Sequence, residues 1–198
     1  MKLEQHIFKS ESFKILIEEA VSFFDGTPME LLPPLDKFAG PGIYAIYYNG
    51  NSKLYKDIYE RKPNTPIYVG KAVLPGWRQG LVKIDENDAA LYRRLKEHSR
   101  SISSAKNLIL SDFSCRFVVI PAEQSDLIGT VEAALIRKYH PLWNSYIDGF
   151  GNHDPGKGRY NQAKSEWDVL HIGREWAERL KGETPLIESV LKKVKEYA

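Results

Sequence analysis

Glu132 stands where an apolar residue is expected. Ile128, Leu135, Ile136 and Tyr139 fall at i−4, i+3, i+4 and i+7 from it, which sets a carboxylate in the middle of a helix's apolar stripe. An unpaired carboxylate is costly to bury, so either a cation neutralises it or the stripe opens onto a cleft. Two readings stay open: a structural pair with an arginine such as Arg94, or a metal ligand. His98 breaks the pattern in the same way between Leu91, Leu95 and Ile102, with Arg94 one turn earlier on the edge of that face. A lone histidine on an apolar face is more often a satisfied core residue than a functional one. Arg94 and His98 together, however, are expected to converge on the same core side as Glu132. Together they offer a proton acceptor, a cation and a carboxylate able to hold a divalent metal, the groups of acid–base and metal-assisted chemistry.

These residues need a scaffold. Residues 13–24 carry Phe13, Leu16, Ile17, Ala20, Val21 and Phe24 at helical spacing, and Gly26-Thr27-Pro28 breaks the pattern. A proline-rich connector leads into Ile43-Tyr44-Ala45-Ile46-Tyr47-Tyr48, a strand by its β-branched and aromatic content, which ends at the turn Asn49-Gly50-Asn51. After a polar insertion, Pro66-Ile67-Tyr68-Val69-Gly70 reads as a second strand, paired with the first as a hairpin with a long loop. A helix over 88–102, a third strand over 114–120 and the clearest helix over 127–139, ending before Pro141, complete a β-β-α-β-α order. The expected architecture is α/β of the α+β kind, a three-stranded sheet flanked by helices. Beyond it lie a loop-rich stretch from Gly149 to Arg159, a short helix over 175–180 and an amphipathic helix over 185–197.

Bulk properties narrow the function classes. With 198 residues and 42% hydrophobic content, one principal domain with extensions is expected: 1–40 as an N-terminal helical extension, 41–146 as the core, and 147–198 as a C-terminal extension packed on it. A formal net charge of +2 is too small to argue nucleic-acid binding from total charge, so charge distribution must carry that reading. Cys115 is the only cysteine, which excludes an intramolecular disulfide and a cysteine-based zinc cluster and suits a reducing cytosol. No run approaches the roughly 18 apolar residues of a membrane span, and the N-terminus lacks a signal-peptide core. A cytoplasmic, prokaryotic location without membrane contact is the expectation. Gly156-Lys157-Gly158 hints at phosphate cradling, but the Walker pattern is absent and no nucleotide cofactor is expected.

Taken singly, Tyr44 and Tyr68 are ordinary strand tyrosines among eleven, and Asn144 is an ordinary helix-terminating residue. Their order says more. Gly42-Ile43-Tyr44, Tyr68-Val69-Gly70, Arg94-x-x-x-His98, Glu132 and Asn144 reproduce, within residues 42–144, the sequence of motifs of the GIY-YIG nucleases, which this chain resembles, with Val69 in place of the usual isoleucine. The likeness covers about half the chain, and its specificity lies in five separated elements in order. The longer segments 49–65 and 72–87 resemble the type II restriction-endonuclease branch. So do Gly151-Asn152-His153-Asp154-Pro155-Gly156 and Ser165-x-Trp167-Asp168-x-x-His171-x-Gly173-Arg174, which look like that branch's recognition segment, and a GC-rich palindrome of the CCGCGG kind is the implied target.

The resemblance implies roles. Tyr44 is the general base or orients the attacking water, aided by Lys71, Arg94 and His98; Tyr68 contacts phosphate or water; Arg94 stabilises the pentacovalent transition state. Glu132 ligates one Mg²⁺, with Mn²⁺ as an acceptable substitute, and Asn144 fixes the site from the helix end. The product is a 5′-phosphate and a 3′-hydroxyl. For DNA contact the expected residues are Arg78, Gln79, Lys83, Arg93 and Arg100 in and before the basic helix, and Asn152, His153, Lys157 and Arg159 in the tail, on double-stranded DNA with a palindromic site bound by a homodimer. Charge runs are usually no more than a solvated helix face. The alternatives are a catalytically silent DNA-binding module, a repair- or homing-type nuclease of the same family, and a weaker HNH-like site built on His140, Asn144 and His153.

Overall fold

The computed structural model of the chain describes residues 1–77, 85 and 87–197. Its centre is β2 (Gly42–Tyr48), whose seven residues are all buried because both faces of the strand are covered. β3 (Tyr68–Ala72) pairs with it antiparallel, Tyr44 opposite Gly70 and Ile46 opposite Tyr68, as the hairpin reading requires. β4 (Phe113–Val119) pairs antiparallel along the other edge of β2, with Tyr44 opposite Phe117.

The sheet has four strands, in the order β1-β4-β2-β3, where three were expected. The added strand, β1 (Glu30–Leu31), is two residues long and pairs with Cys115 and Ser114 of β4. Two residues carry no alternation signal, and this strand exists only through a partner more than eighty positions away. Inside the expected long hairpin loop lies another short element, α2 (Lys56–Arg61), which buries Ile58 and Tyr59.

Alternation along β2 divides the core into two layers. Ile43, Ala45 and Tyr47 face α1 (Glu11–Gly26) and α4 (Asp126–Tyr139), packing with Phe24, Ile128, Val131 and Leu135. Ser10 caps α1 by accepting from Phe13 N at 3.2 Å. Tyr44, Ile46 and Tyr48 face the other way, toward α3 (Ala90–Ser104) and the C-terminal region, where Leu91, Leu95, Ile102, Trp143, Phe150 and Trp167 fill one cluster. α4 ends at His140, which takes up a left-handed conformation at φ 45° before Pro141. There follow α5 (Leu142–Ser145), α6 (Glu166–Leu170), α7 (Glu175–Glu178) and α8 (Ile187–Tyr197). The last two match the expected helices in place, and α7 stops two residues short of the expected end. No helix among the described residues is long and apolar enough to cross a membrane.

Candidate active site

Tyr44 and Tyr68 share the α3 face of the sheet. The Tyr44 hydroxyl lies 2.5 Å from Nε2 of His98, which α3 points inward between Leu91, Leu95 and Ile102. Both groups are enclosed, Tyr44 with no exposed surface and His98 with 2%. Burial, reinforced by Tyr68, holds the Tyr44 phenol well above its ordinary range against the opposing pull of Arg94; burial, then Arg94, pushes His98 well below its own. Both partners are therefore neutral near neutral pH, and a single proton bridges them. The hairpin register explains why Gly70 faces Tyr44: a Cβ on Gly70 would stand 2.4 Å from the Tyr44 hydroxyl and 2.9 Å from the Tyr68 ring.

Lys71 and Glu132 reach the site from the opposite layer. Lys71 follows Gly70 on β3, so its side chain projects to the α4 face, where its Nζ meets Glu132 Oε2 at 2.6 Å. This corrects the expectation that Arg94, His98 and Glu132 converge on one side. The two groups approach from opposite faces and meet around β3, which is the outer strand of the sheet and has no neighbour beyond it among the described residues. Glu132 is still near enough for its charge to raise both tyrosines, after burial and other neighbours. The cation that neutralises it is Lys71, not Arg94.

Arg94 leans instead on the C-terminal region. Its guanidinium donates to Glu97 Oε2 at 2.9 Å and to the Gly151 carbonyl at 2.8 Å, and its Nη1 lies 2.6 Å from Nε2 of His153. Phe150 stacks on His98 at 4.5 Å between ring centres and meets the Tyr68 ring edge-on at 4.8 Å. A Cβ on Gly151 would come within 2.7 Å of the Tyr68 hydroxyl, so the loop touches the site through bare backbone. Phe150 and Gly151 as walls of the site were missed by sequence reasoning. The available signal was an aromatic residue bracketed by Gly149 and Gly151, a pattern that suits a loop pressed against other groups.

Asn144 sits within α5, the short helix that follows Pro141. Its Oδ1 accepts from Val69 N at 2.8 Å and its Nδ2 donates to Val69 O at 2.8 Å, so the side chain supplies β3 with both bonds a missing neighbouring strand would have made. It touches backbone rather than any reacting group. Of the expected DNA-contacting residues, Arg100, Asn152, Lys157 and Arg159 are exposed, Arg93 is exposed but paired with Asp88 at 2.8 Å, and His153 is held at Arg94. Arg78, Gln79 and Lys83 lie outside the described residues. His140 ends α4 with its side chain exposed, so it offers nothing to an HNH-like site.

Among the described residues, no group of three or more His, Cys, Asp or Glu side chains is placed to hold a metal. Glu132, half-buried and paired with the Lys71 ammonium, is the carboxylate there that could hold one, since the Glu97 carboxylate is paired with Arg94. That fits an ion which keeps several waters and completes its shell with substrate phosphate, as Mg²⁺ does.

No curated protein matches the chain. A family model described as the Eco29kI GIY-YIG domain matches residues 36–198, which take in the whole sheet except β1, the paired tyrosines, the arginine helix, Glu132 and the C-terminal segment that walls the site. With more than half its length so matched and the motif residues gathered around one strand edge, the chain belongs to the Eco29kI GIY-YIG family, a family of restriction endonucleases.

Proposed function

We propose that this protein is a type II restriction endonuclease that hydrolyses double-stranded DNA with Mg²⁺, leaving a 5′-phosphate and a 3′-hydroxyl. The observation that carries the proposal is the gathering of the Tyr44–His98 pair, Tyr68, Arg94 and the Lys71–Glu132 pair around β3, the outer strand of the sheet.

A neutral phenol is a poor base, and Tyr44 is neutral here. The group in contact to take up its proton is Nε2 of His98. As the attacking water loses a proton to the Tyr44 oxygen, Tyr44 passes its own proton to Nε2 of neutral His98, so no free phenolate has to exist beforehand. The water oxygen bonds to phosphorus, the bond from phosphorus to the 3′ oxygen breaks in line with it, and that oxygen leaves and takes a proton from a solvent water to become the 3′-hydroxyl. Arg94 offsets the negative charge that grows on the phosphate in the transition state, and Tyr68, the less buried tyrosine, hydrogen-bonds the phosphate. Glu132 and substrate oxygens would hold Mg²⁺, which supplies charge neutralisation at the departing oxygen. Lys71 balances Glu132 in the free protein and would be free to reach phosphate if Glu132 held a metal instead. Because Tyr44 is fully enclosed, DNA binding has to shift Tyr68 or the loop around Gly151 for water to arrive.

Exposed Arg100, Lys157 and Arg159 supply phosphate contacts, and the tail supplies base readers for a palindromic site cut by a homodimer. Plasmid digestion with Mg²⁺ or with EDTA, followed by sequencing of the ends, tests the proposal. Discrete fragments with Mg²⁺ alone are expected. A nicked smear would point to a repair-like enzyme, and intact but gel-shifted DNA to a silent binding module.

A further inference from the structure

Arg174 is the most enclosed arginine near the site, only 4% exposed, and too deep to touch DNA. Burying a guanidinium is costly unless its donors are matched, and here each arm of the fork has a partner. Its Nε donates to Asp168 at 2.7 Å, Nη2 to the Gly149 carbonyl at 2.9 Å, and Nη1 to the Phe150 and Asn152 carbonyls at 3.2 and 3.3 Å. Trp167 and Trp176 pack against the guanidinium at 4.5 and 4.7 Å. The remaining carbonyl of this stretch, Gly151 O, turns the opposite way and accepts from Arg94 at 2.8 Å. One loop is thus gripped by two arginines, one buried and one facing the cleft.

From this geometry we infer that Arg174 is a positioning residue for cleavage: by fixing the backbone of residues 149–152 it sets the Phe150 and Gly151 surface against which His98, Tyr68 and Arg94 are aligned. The inference rests on the nuclease reading above. The planar fork is essential to it, since an ammonium at this position keeps the charge but cannot reach Asp168 and three divergent carbonyls at once. Asp168 is itself held, accepting from the Ser165 hydroxyl at 2.6 Å at the start of α6, so the tail's own fold sets the direction of the grip. The same segment carries exposed Asn152 and His153, so a tail that seats wrongly on DNA misaligns the catalytic groups through this loop.

Two variants of the full chain test it: Arg174→Lys, and Phe150→Leu, which leaves the Arg174–Asp168 pair intact and removes the ring stacked on His98. Single-turnover cleavage with Mg²⁺ is compared with DNA affinity in EDTA, and thermal unfolding reports folding. Each folded variant is expected to lose roughly 10- to 100-fold in cleavage rate, the scale of a small misplacement of reacting groups, with DNA affinity unchanged. Folded variants that cleave at the wild-type rate, or that lose affinity and rate in equal proportion, overturn the inference. Should Arg174→Lys not fold, Phe150→Leu decides alone by the same criterion. Wild-type protein that cuts no DNA refutes the nuclease reading instead, so the two failures are told apart.

Discussion

Lys71 and Glu132 form an ion pair at 2.6 Å that joins the edge strand β3 to helix α4, and it occupies the carboxylate a divalent cation would need. In the proposed mechanism Lys71 is therefore both a placeholder in the free protein and a competitor of the metal. Glu132→Gln keeps the shape of the side chain and removes its charge, and the expected result is loss of Mg²⁺-dependent cleavage by roughly two to three orders of magnitude with DNA binding retained. The comparison of single-turnover cleavage with gel shift checks it; undiminished cutting would remove Glu132 from the chemistry.

Tyr44→Phe deletes one hydroxyl from a fully packed ring. The loss of the bond to His98 is expected to cost about 1–3 kcal/mol of stability, because it leaves the buried Nε2 of His98 without its partner. Cleavage is expected to fall far more, by roughly 10²- to 10⁴-fold, since both the proton acceptor and its link to the imidazole disappear. Single-turnover rates beside urea unfolding separate the two effects, and a rate that drops only in step with stability speaks against a chemical role for Tyr44.

Asn144 contributes through backbone. Replacing it with Ala strands the Val69 N–H and C=O on the outer edge of β3, and a loss of about 1–3 kcal/mol in urea unfolding is expected. Because Tyr68 precedes Val69 and Lys71 lies two residues beyond it on β3, activity should fall as well, and Asn144→Asp, which retains only the bond from Val69 N, should lie between wild type and Ala in stability. Equal stability of Ala and wild type would mean that water replaces the side chain fully.

Acid should unfold the protein through its buried histidines. His171, wholly buried and bonded to Tyr55 at 2.6 Å and Asn107 at 2.9 Å, is pushed down to about 3 by burial and then by Arg174, and His98 is lowered in the same direction. A depressed pKa in the folded state means that the unfolded chain takes up the proton first. For His171 the stabilisation is complete above about pH 6.5 and is lost as pH falls toward 3, at about 1.4 kcal/mol per pH unit, and His98 acts in the same direction. Unfolding free energy measured between pH 7 and pH 4 is expected to show this slope, and His171→Gln should flatten it by about one proton. An unchanged slope in that variant would assign acid sensitivity to other groups.

What the sequence determined by itself was local and repetitive. The β-branched and aromatic run in β2 marked a strand, the 3.6-residue spacing around Glu132 and His98 marked two helices with a polar residue on the wrong face, and the order of motifs from Gly42 to Asn144 marked the family. Such signals depend on neighbours a few positions apart, so they survive without a fold. Tertiary structure decided the rest. Only the pairing of β1 with β4 reveals the fourth strand; only the place of β3 at the sheet edge brings Lys71 and Glu132 round to Tyr44 from the opposite layer; and only the path of the tail puts Gly151 and His153 on Arg94. Each of these contacts joins residues about sixty or more positions apart, where no periodicity carries information and the outcome depends on how the layers pack.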